Sequence, residues 1–160
     1  KLNAMKFLSM VCSYSIQSKP MLFPILSCRM VRLTIENGFC DDSIVGLVTA
    51  GYSLFNFTDN VELAYRIGKV GESFIEESQN RHALRSRLCF ELDGTLKAIV
   101  EPAQSVIALL HDRHDSAMLA GDVGGAMHSL LVYCIGCLHT GSELVSVSKF
   151  FVSCIKQSTK

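Results

Sequence analysis

Apolar segments with helical periodicity alternate along the whole chain with short breaks rich in Gly, Pro, Asp and Asn. After Asp41, for example, Ile44, Leu47, Val48 and Gly51 follow at i, i+3, i+4 and i+7, which is one face of a helix. The breaks hold the residue types that end one helix and begin the next. This alternation predicts an all-α chain, and no strand–turn–strand pattern competes with it.

The breaks divide the chain into about eight helices. Expected helix ends are Lys19-Pro20, Asn37-Gly38, Gly121 and Gly141; expected N-caps are Asp41, Asp42 or Ser43, then Asn60, Asn80, Asp122 and Ser142; Glu101-Pro102 starts a further helix. One boundary stays open in the sequence. The helix after Asn80 either ends at Asp93-Gly94 or continues towards Val100.

Two segments of the chain resemble each other. Asn60 to Ala64 and Asp122 to Ala126 each contain a cap residue, a Val, two variable residues and an Ala, and each opens a helix. Helix pairs that recur in this way stack because one pair alone cannot bury its apolar face. We therefore expect one α-α superhelix of antiparallel helix pairs over residues 1–160, similar to tetratricopeptide repeats. In the helix after Asn60, the small residues Gly68 and Gly71 predict close approach of a neighbouring helix.

The composition narrows the classes of partner and compartment. Lys plus Arg and Asp plus Glu number 15 each, so no net field attracts nucleic acid or an anionic membrane. The longest apolar run, around Leu130 to Leu138, falls well short of the ~20 residues of a membrane span. Seven cysteines scattered among apolar helix positions are typical of reduced thiols in a cytoplasmic protein. Because the sequence opens with Lys1 inside an apolar pattern, we expect a fragment of a larger protein.

An ordered set of motifs over roughly residues 20–150 resembles a known type of helical region. The motifs are Met30 to Gly38, Asp59 to Gly68, Ala120-Gly121-Asp122 with Ala126, and Gly141 to Leu144. The set looks like the tetratricopeptide-like region that follows the AAA/STAND-type P-loop ATPase domain of large signalling proteins, which often also carry kinase, GAF, histidine-kinase or cyclase domains. The family's nucleotide site lies outside this region, so the resemblance transfers no functional residue.

The resemblance implies a non-catalytic regulatory or interaction module that couples an ATPase domain to sensor or output domains. Its expected partner is a protein or an adjacent domain of the same chain, and neither nucleic acid nor membrane. We expect no catalytic, cofactor-binding or metal-binding residues, and no cofactor. The alternatives are a free-standing tetratricopeptide-type adaptor and, as a third possibility, a small helical metal-binding protein.

The metal-binding alternative depends on His111, His114, Cys134 and Cys137. A Cys-x-x-Cys pair binds zinc when a second ligand pair completes a tetrahedron, and the two histidines at i and i+3 could supply it across a hairpin. Both cysteines, however, fall on the apolar stripe of a helix, where thiols act as small buried hydrophobes. We therefore favour a structural role for all four residues.

Two further patterns favour structure over chemistry. The glycine-rich run from Gly121 to Gly125 lacks the Lys and the preceding strand of a phosphate-binding loop, so it indicates a helix end followed by an N-cap. Glu76-Glu77 and the pair Glu91 and Asp93 could act as general acids or bases. Solvated helix faces are the simpler interpretation of these carboxylates.

Overall fold

The computed structural model describes residues 2–158, and these contain no β-strand. The α-helices are α1 (Leu2–Ser18), α2 (Leu22–Asn37), α3 (Asp41–Phe57), α4 (Val61–Glu77), α5 (Arg81–Arg87), α6 (Cys89–Glu91), α7 (Ala103–Leu119), α8 (Val123–His139) and α9 (Leu144–Ser158). A π-helical segment, Leu92–Lys97, follows α6 directly. The all-α prediction is confirmed, and short connections make neighbouring helices antiparallel.

The chain divides into two compact units, one up to Arg81 and one from His82 onward. In the first unit α2 packs on α3 and α3 packs on α4, while α1 lies against α2 and α3. In the second unit α7 and α8 form the main pair, with α9 and the α6–π segment against them. Within residues 2–158, none of the helices combines the length and the apolarity that crossing a membrane requires.

The first unit has its core where α3 meets its two neighbours. Its fully buried side chains include Met30, Ile44, Val45, Val48, Ala64 and Ile75. The predicted close approach at the small residues of α4 is confirmed. A side chain at Gly71 would collide with Val48 of α3, so glycine there is what lets the two helices meet.

Gly121 and Gly141 end α7 and α8 in the same way. Both adopt positive φ, 74° and 71°, which glycine reaches without steric cost. After α7 the amide of Gly121 donates to Met118 O and that of Asp122 to Ala117 O, the two bonds of a Schellman motif. The same pair of bonds follows α8. The predicted stops at both glycines are therefore confirmed.

Three predicted caps differ from the structure. The helix α9 begins at Leu144, so the residue before it is Glu143 and not the predicted Ser142; the other two differences concern α3 and α5. Cys40 is the N-cap of α3, and Ser43 is the third residue of the helix, where its hydroxyl accepts the Cys40 amide at 3.1 Å. Asn80 does not cap α5 through its side chain; the amide group donates instead to the carboxylate of Asp41. The Cys40 amide thus bonds to Ser43 inside the helix, and the Asn80 side chain bonds to Asp41 of another helix.

The open boundary after Asn80 is resolved by a change of helix type. The chain turns at Leu88, forms the short helix α6, and continues through Gly94 as a π-helix to Lys97. A Cβ at Gly94 would lie 2.6 Å from Val132 Cγ1, so glycine lets this segment pass close to α8. The split explains why the described part of the chain holds nine α-helices where about eight were expected.

Candidate functional site

A buried ion cluster sits on the π-helical segment of the second unit. Asp93 Oδ2 accepts from Arg113 Nε at 2.8 Å, and Asp93 Oδ1 lies 3.1 Å from Lys97 Nζ. All three side chains are buried. π-helical turns are rare in proteins, and those that do occur often lie at functional sites. This ion cluster is therefore a candidate functional site.

Glu91, two residues before Asp93 in the sequence, is also buried. Its Oε2 has no hydrogen-bond partner, and burial raises the pKa of the carboxyl from its ordinary 4.5 to about 7, against the opposing effects of a local backbone hydrogen bond and the Arg87 charge. The interpretation of Glu91 and Asp93 as solvated carboxylates is therefore wrong. Glu91 ends α6 and Asp93 lies in the π-segment that follows it, whose geometry the periodicity of an α-helix does not describe. Glu76 and Glu77 are exposed, as predicted.

The geometry of the ion cluster favours a structural role. Both carboxylate oxygens of Asp93 lie near a cation: Oδ2 accepts a hydrogen bond from Arg113, whereas Oδ1 forms an ion pair with Lys97 without hydrogen-bond geometry. The cluster also joins the π-segment to α7 through Arg113. Breaking such a pair leaves an uncompensated buried charge, so the cluster constrains the backbone around it.

The four residues of the predicted metal-binding alternative do not form a ligand cage. His111 stacks on Phe150 of α9, with ring centroids 4.5 Å apart, whereas His114 is buried at 1% exposure. Cys137 is buried and Cys134 is half-buried. In the part of the chain that the structure describes, no three His, Cys, Asp or Glu side chains converge on a point where a metal could bind.

His114 contacts two other polar groups through the same ring nitrogen. Its Nδ1 lies 3.0 Å from Asp115 Oδ1 and 4.0 Å from Cys154 Sγ, and its Nε2 has no hydrogen-bond partner. A catalytic Cys–His–Asp arrangement uses opposite ring nitrogens for the nucleophile and the carboxylate. Burial also raises the pKa of the Cys154 thiol, so this contact does not create a reactive thiolate.

The glycine-rich run before α8 is a helix end and a cap, as predicted. Asp122 Oδ1 accepts the Gly125 amide at 2.9 Å, which satisfies one free N–H of the first helical turn. Asp122 Oδ2 accepts a second bond, 2.6 Å long, from the Ser86 hydroxyl of α5. A carboxylate at this position would repel a phosphate at the helix start.

The second unit exposes apolar side chains on α9, among them Leu144, Val145 and Val152, and on α8. The α8 face, as we call it, consists of Gly124, His128, Leu131, Ile135 and Leu138, spaced alternately by four and three residues. The three aliphatic side chains are 55%, 43% and 58% exposed. The opposite side of α8 is already buried, through residues such as Ala126, Leu130 and Cys137. Contiguous exposed apolar surface of this kind marks interaction sites.

Hydrophobic periodicity alone does not distinguish this exposed surface from the buried stripe of α8. The distribution of charged residues gives an additional signal in the sequence. Between Val123 and His139 there is no Asp, Glu, Lys or Arg. A helix on a protein surface normally carries charge on its outer side, and one that is apolar all round is covered on both sides. The missing charges are consistent with the apolar character of both sides of α8.

Comparison with known proteins gives no family assignment. No protein-family model, curated protein or solved structure matches the chain. The resemblance to the region behind an AAA/STAND ATPase domain accordingly stays a prediction.

Proposed function

We propose that this chain is a non-catalytic helical interaction module that binds a helix of a protein partner, or of an adjacent domain, on the α8 face. The observation that carries the proposal is the exposure of Leu131, Ile135 and Leu138 in one line on a helix without charged residues. A complementary apolar helix would displace water from these side chains. The removal of apolar surface from water is the main driving force for association.

The spacing of the α8 face specifies the kind of partner. Positions four and three residues apart are those of an a/d seam, whose side chains insert between the side chains of a second helix. We expect an amphipathic partner helix with apolar residues at i, i+3 or i+4, and i+7. Because α8 carries no Asp, Glu, Lys or Arg, charge on its surface contributes little to the choice of partner. The complementarity in shape of the two helices would therefore determine specificity.

The polar groups of the second unit support the non-catalytic part of the proposal. Asp93 is held by two cations, and Cys154 shares Nδ1 of His114 with Asp115. Neither arrangement leaves an activated nucleophile or a base directed at a cleft.

The wider setting follows from the resemblance and from the cysteines. We place the module in a nucleotide-dependent signalling protein, where it couples an ATPase domain to sensor or output domains; the alternative is a free-standing adaptor. All seven cysteines are free thiols, which favours a reducing compartment such as the cytoplasm. A P-loop encoded in the same reading frame would favour the coupling role, and its absence would favour the adaptor.

Site-specific photocrosslinking tests the proposal. A photoreactive phenylalanine at position 135 should crosslink to a partner protein in cells, while the same residue at position 153, exposed on α9 between Lys149 and Lys156, should not. Leu131→Glu should abolish the crosslink without loss of helix by circular dichroism, because Leu131 is more than half exposed. Equal crosslinking from both positions, or a crosslink that survives Leu131→Glu, would exclude the α8 face as the docking surface.

A further inference from the structure

The first unit contains a cavity of about 340 Å³ at the point where α2 ends and α1 begins. Its apolar walls include Ala4 and Met5 of α1, Leu33 of α2, and Phe39 of the connection to α3. The volume lies at the lower end of the range for small-molecule sites. This cavity is separate from the α8 face, which belongs to the other unit.

The polar side of the cavity consists mainly of acceptors. Glu36 and Asn37 line it at the last turn of α2, where the carbonyl groups of the helix carry partial negative charge. The Asn37 amide donates to Leu33 O, and the Gly38 amide donates to Thr34 O. These donors are therefore occupied within the helix end, and the carboxylate and the Asn37 carbonyl oxygen point to a ligand that donates.

The charges around the cavity are mixed, because the hydrogen bond from Arg32 and the charges of Arg32 and Arg29 lower the pKa of Glu36. None of the described lining residues is a lysine or an arginine. Glu36 Oε1 accepts from Arg32 Nε at 2.7 Å on the outer surface, which leaves Oε2 as the oxygen for the ligand. The Phe39 ring, with its centroid 4.7 Å from that of Phe74, adds an aromatic surface of the kind that attracts cations.

We infer that this cavity binds a small primary ammonium compound with an apolar body, the ammonium group at Glu36 and Asn37 and the body between Met5, Leu33 and Phe39. The inference does not depend on the proposed docking of a helix on α8. It assigns the first unit a ligand-binding role of its own.

Titration of the ¹⁵N-labelled chain with 2-phenylethylammonium, followed by NMR, tests the assignment. We expect saturable shift changes confined to the amides of residues 4–5 and 33–40. The anionic analogue 3-phenylpropanoate should produce no saturable change. Absence of saturation with the ammonium compound, or equal binding of the anion, would overturn the inference.

Four variants make the test specific. Glu36→Gln should weaken binding at least about tenfold, since it removes a charge-assisted hydrogen bond. Ala4→Leu, which fills the cavity, should abolish binding. Arg32→Gln should tighten binding a few-fold, because a competing cation is removed from the carboxylate. Glu62→Gln, an exposed carboxylate in the first turn of α4, is the control and should change nothing. Parent-like affinity of both Glu36→Gln and Ala4→Leu would exclude this cavity.

Discussion

The Ser86 hydroxyl donates a 2.6 Å hydrogen bond to Asp122, the residue that caps α8. The other oxygen of the same carboxylate accepts the Gly125 amide at 2.9 Å. One side chain thus starts α8 and ties that start to α5, which lies well before it in the chain. Because Ser86 is buried, its hydroxyl would have no water to replace this acceptor.

Loss of the Asp122 carboxylate should therefore cost more than loss of an ordinary cap. We expect Asp122→Ala to lower the free energy of unfolding by about 2 kcal/mol, the upper end of the N-cap range, and Ser86→Ala by about 1 kcal/mol. Asp122→Asn should cost less than Asp122→Ala, because its carbonyl oxygen can still accept the Gly125 amide. Urea unfolding measures the differences, with Ser105→Ala, an exposed serine, as control. An Asp122→Ala variant as stable as the parent would contradict the cap.

Gly124 and Gly125 are adjacent in sequence and should respond oppositely to alanine. A Cβ at Gly125 would collide with Ser86 Oγ and with the Asp122 carboxylate, whereas a Cβ at Gly124 would meet only Asp122 Oδ1, at 3.7 Å. Gly125→Ala should therefore destabilise the chain by disrupting both hydrogen bonds, about 1–3 kcal/mol. Gly124→Ala should stabilise it by up to about 1 kcal/mol through helix propensity. Thermal unfolding of the two variants distinguishes them, and effects of the same sign would contradict the packing described for the α8 start.

The buried ion cluster predicts an order of effects for three variants. Asp93→Asn removes the one carboxylate that both Arg113 and Lys97 face in this cluster, so we expect a loss of about 3–5 kcal/mol. Arg113→Gln and Lys97→Gln each leave Asp93 with one cation and should cost less. Urea unfolding gives the three values, with Glu77→Gln on the exposed end of α4 as control. A loss for Asp93→Asn no larger than those for the two cation variants would show that Asp93 does not hold the cluster together.

Glu91 predicts a dependence of stability on pH. Its pKa is about 7 in the folded chain and near 4.5 when exposed, so between these values the folded state binds more protons than the unfolded state. The contribution of this group to stability is therefore fully present below about pH 4.5 and is lost as the pH rises through about 7. Glu91→Gln removes the ionisation. Relative to the parent, we expect it to gain about 1–3 kcal/mol between pH 4.5 and pH 8.

Other groups titrate in the same pH range, so the useful quantity is the difference between Glu91→Gln and the parent at each pH. Chemical unfolding at several pH values from 4.5 to 8 supplies it. A constant difference over this range would mean that Glu91 is ionised in the folded chain as readily as in the unfolded one.

Helix ends were predictable because their causes are local. Gly121 and Gly141 need only a glycine after the last apolar turn, and Asn60 and Asp122 need only a side-chain acceptor before a free amide. The bond from Ser86 to Asp122 was not predictable, since its donor lies on a different helix. Cys40 was missed as a cap because a cysteine is a weak acceptor; Ser43, three residues later, supplies the second half of that cap.

The candidate sites were harder to predict than the fold. Asp93 looked like a surface carboxylate because its partner Arg113 is on α7 and because α-helical periodicity does not apply in the π-segment. Glu91 ends the short helix α6 just before that segment, so its burial was not predictable from a continuous α-helix either. The α8 face was hidden for a different reason. The helix α8 is apolar on both its buried and its exposed side. The sequence pattern alone does not show which apolar residues belong to which side; their solvent exposure in the structure does.

The π-segment also determines how this part of the gene can tolerate a change of length. A π-turn closes its hydrogen bonds from i to i+5, so it holds one residue more per turn than an α-helix. Deletion of the single codon for Thr95 would let Leu92–Lys97 relax to α-helical geometry and would rotate Lys97 and the residues after it relative to Asp93. Homologues one residue shorter here should therefore differ in the residues that pack after Lys97, because the register of that whole segment changes.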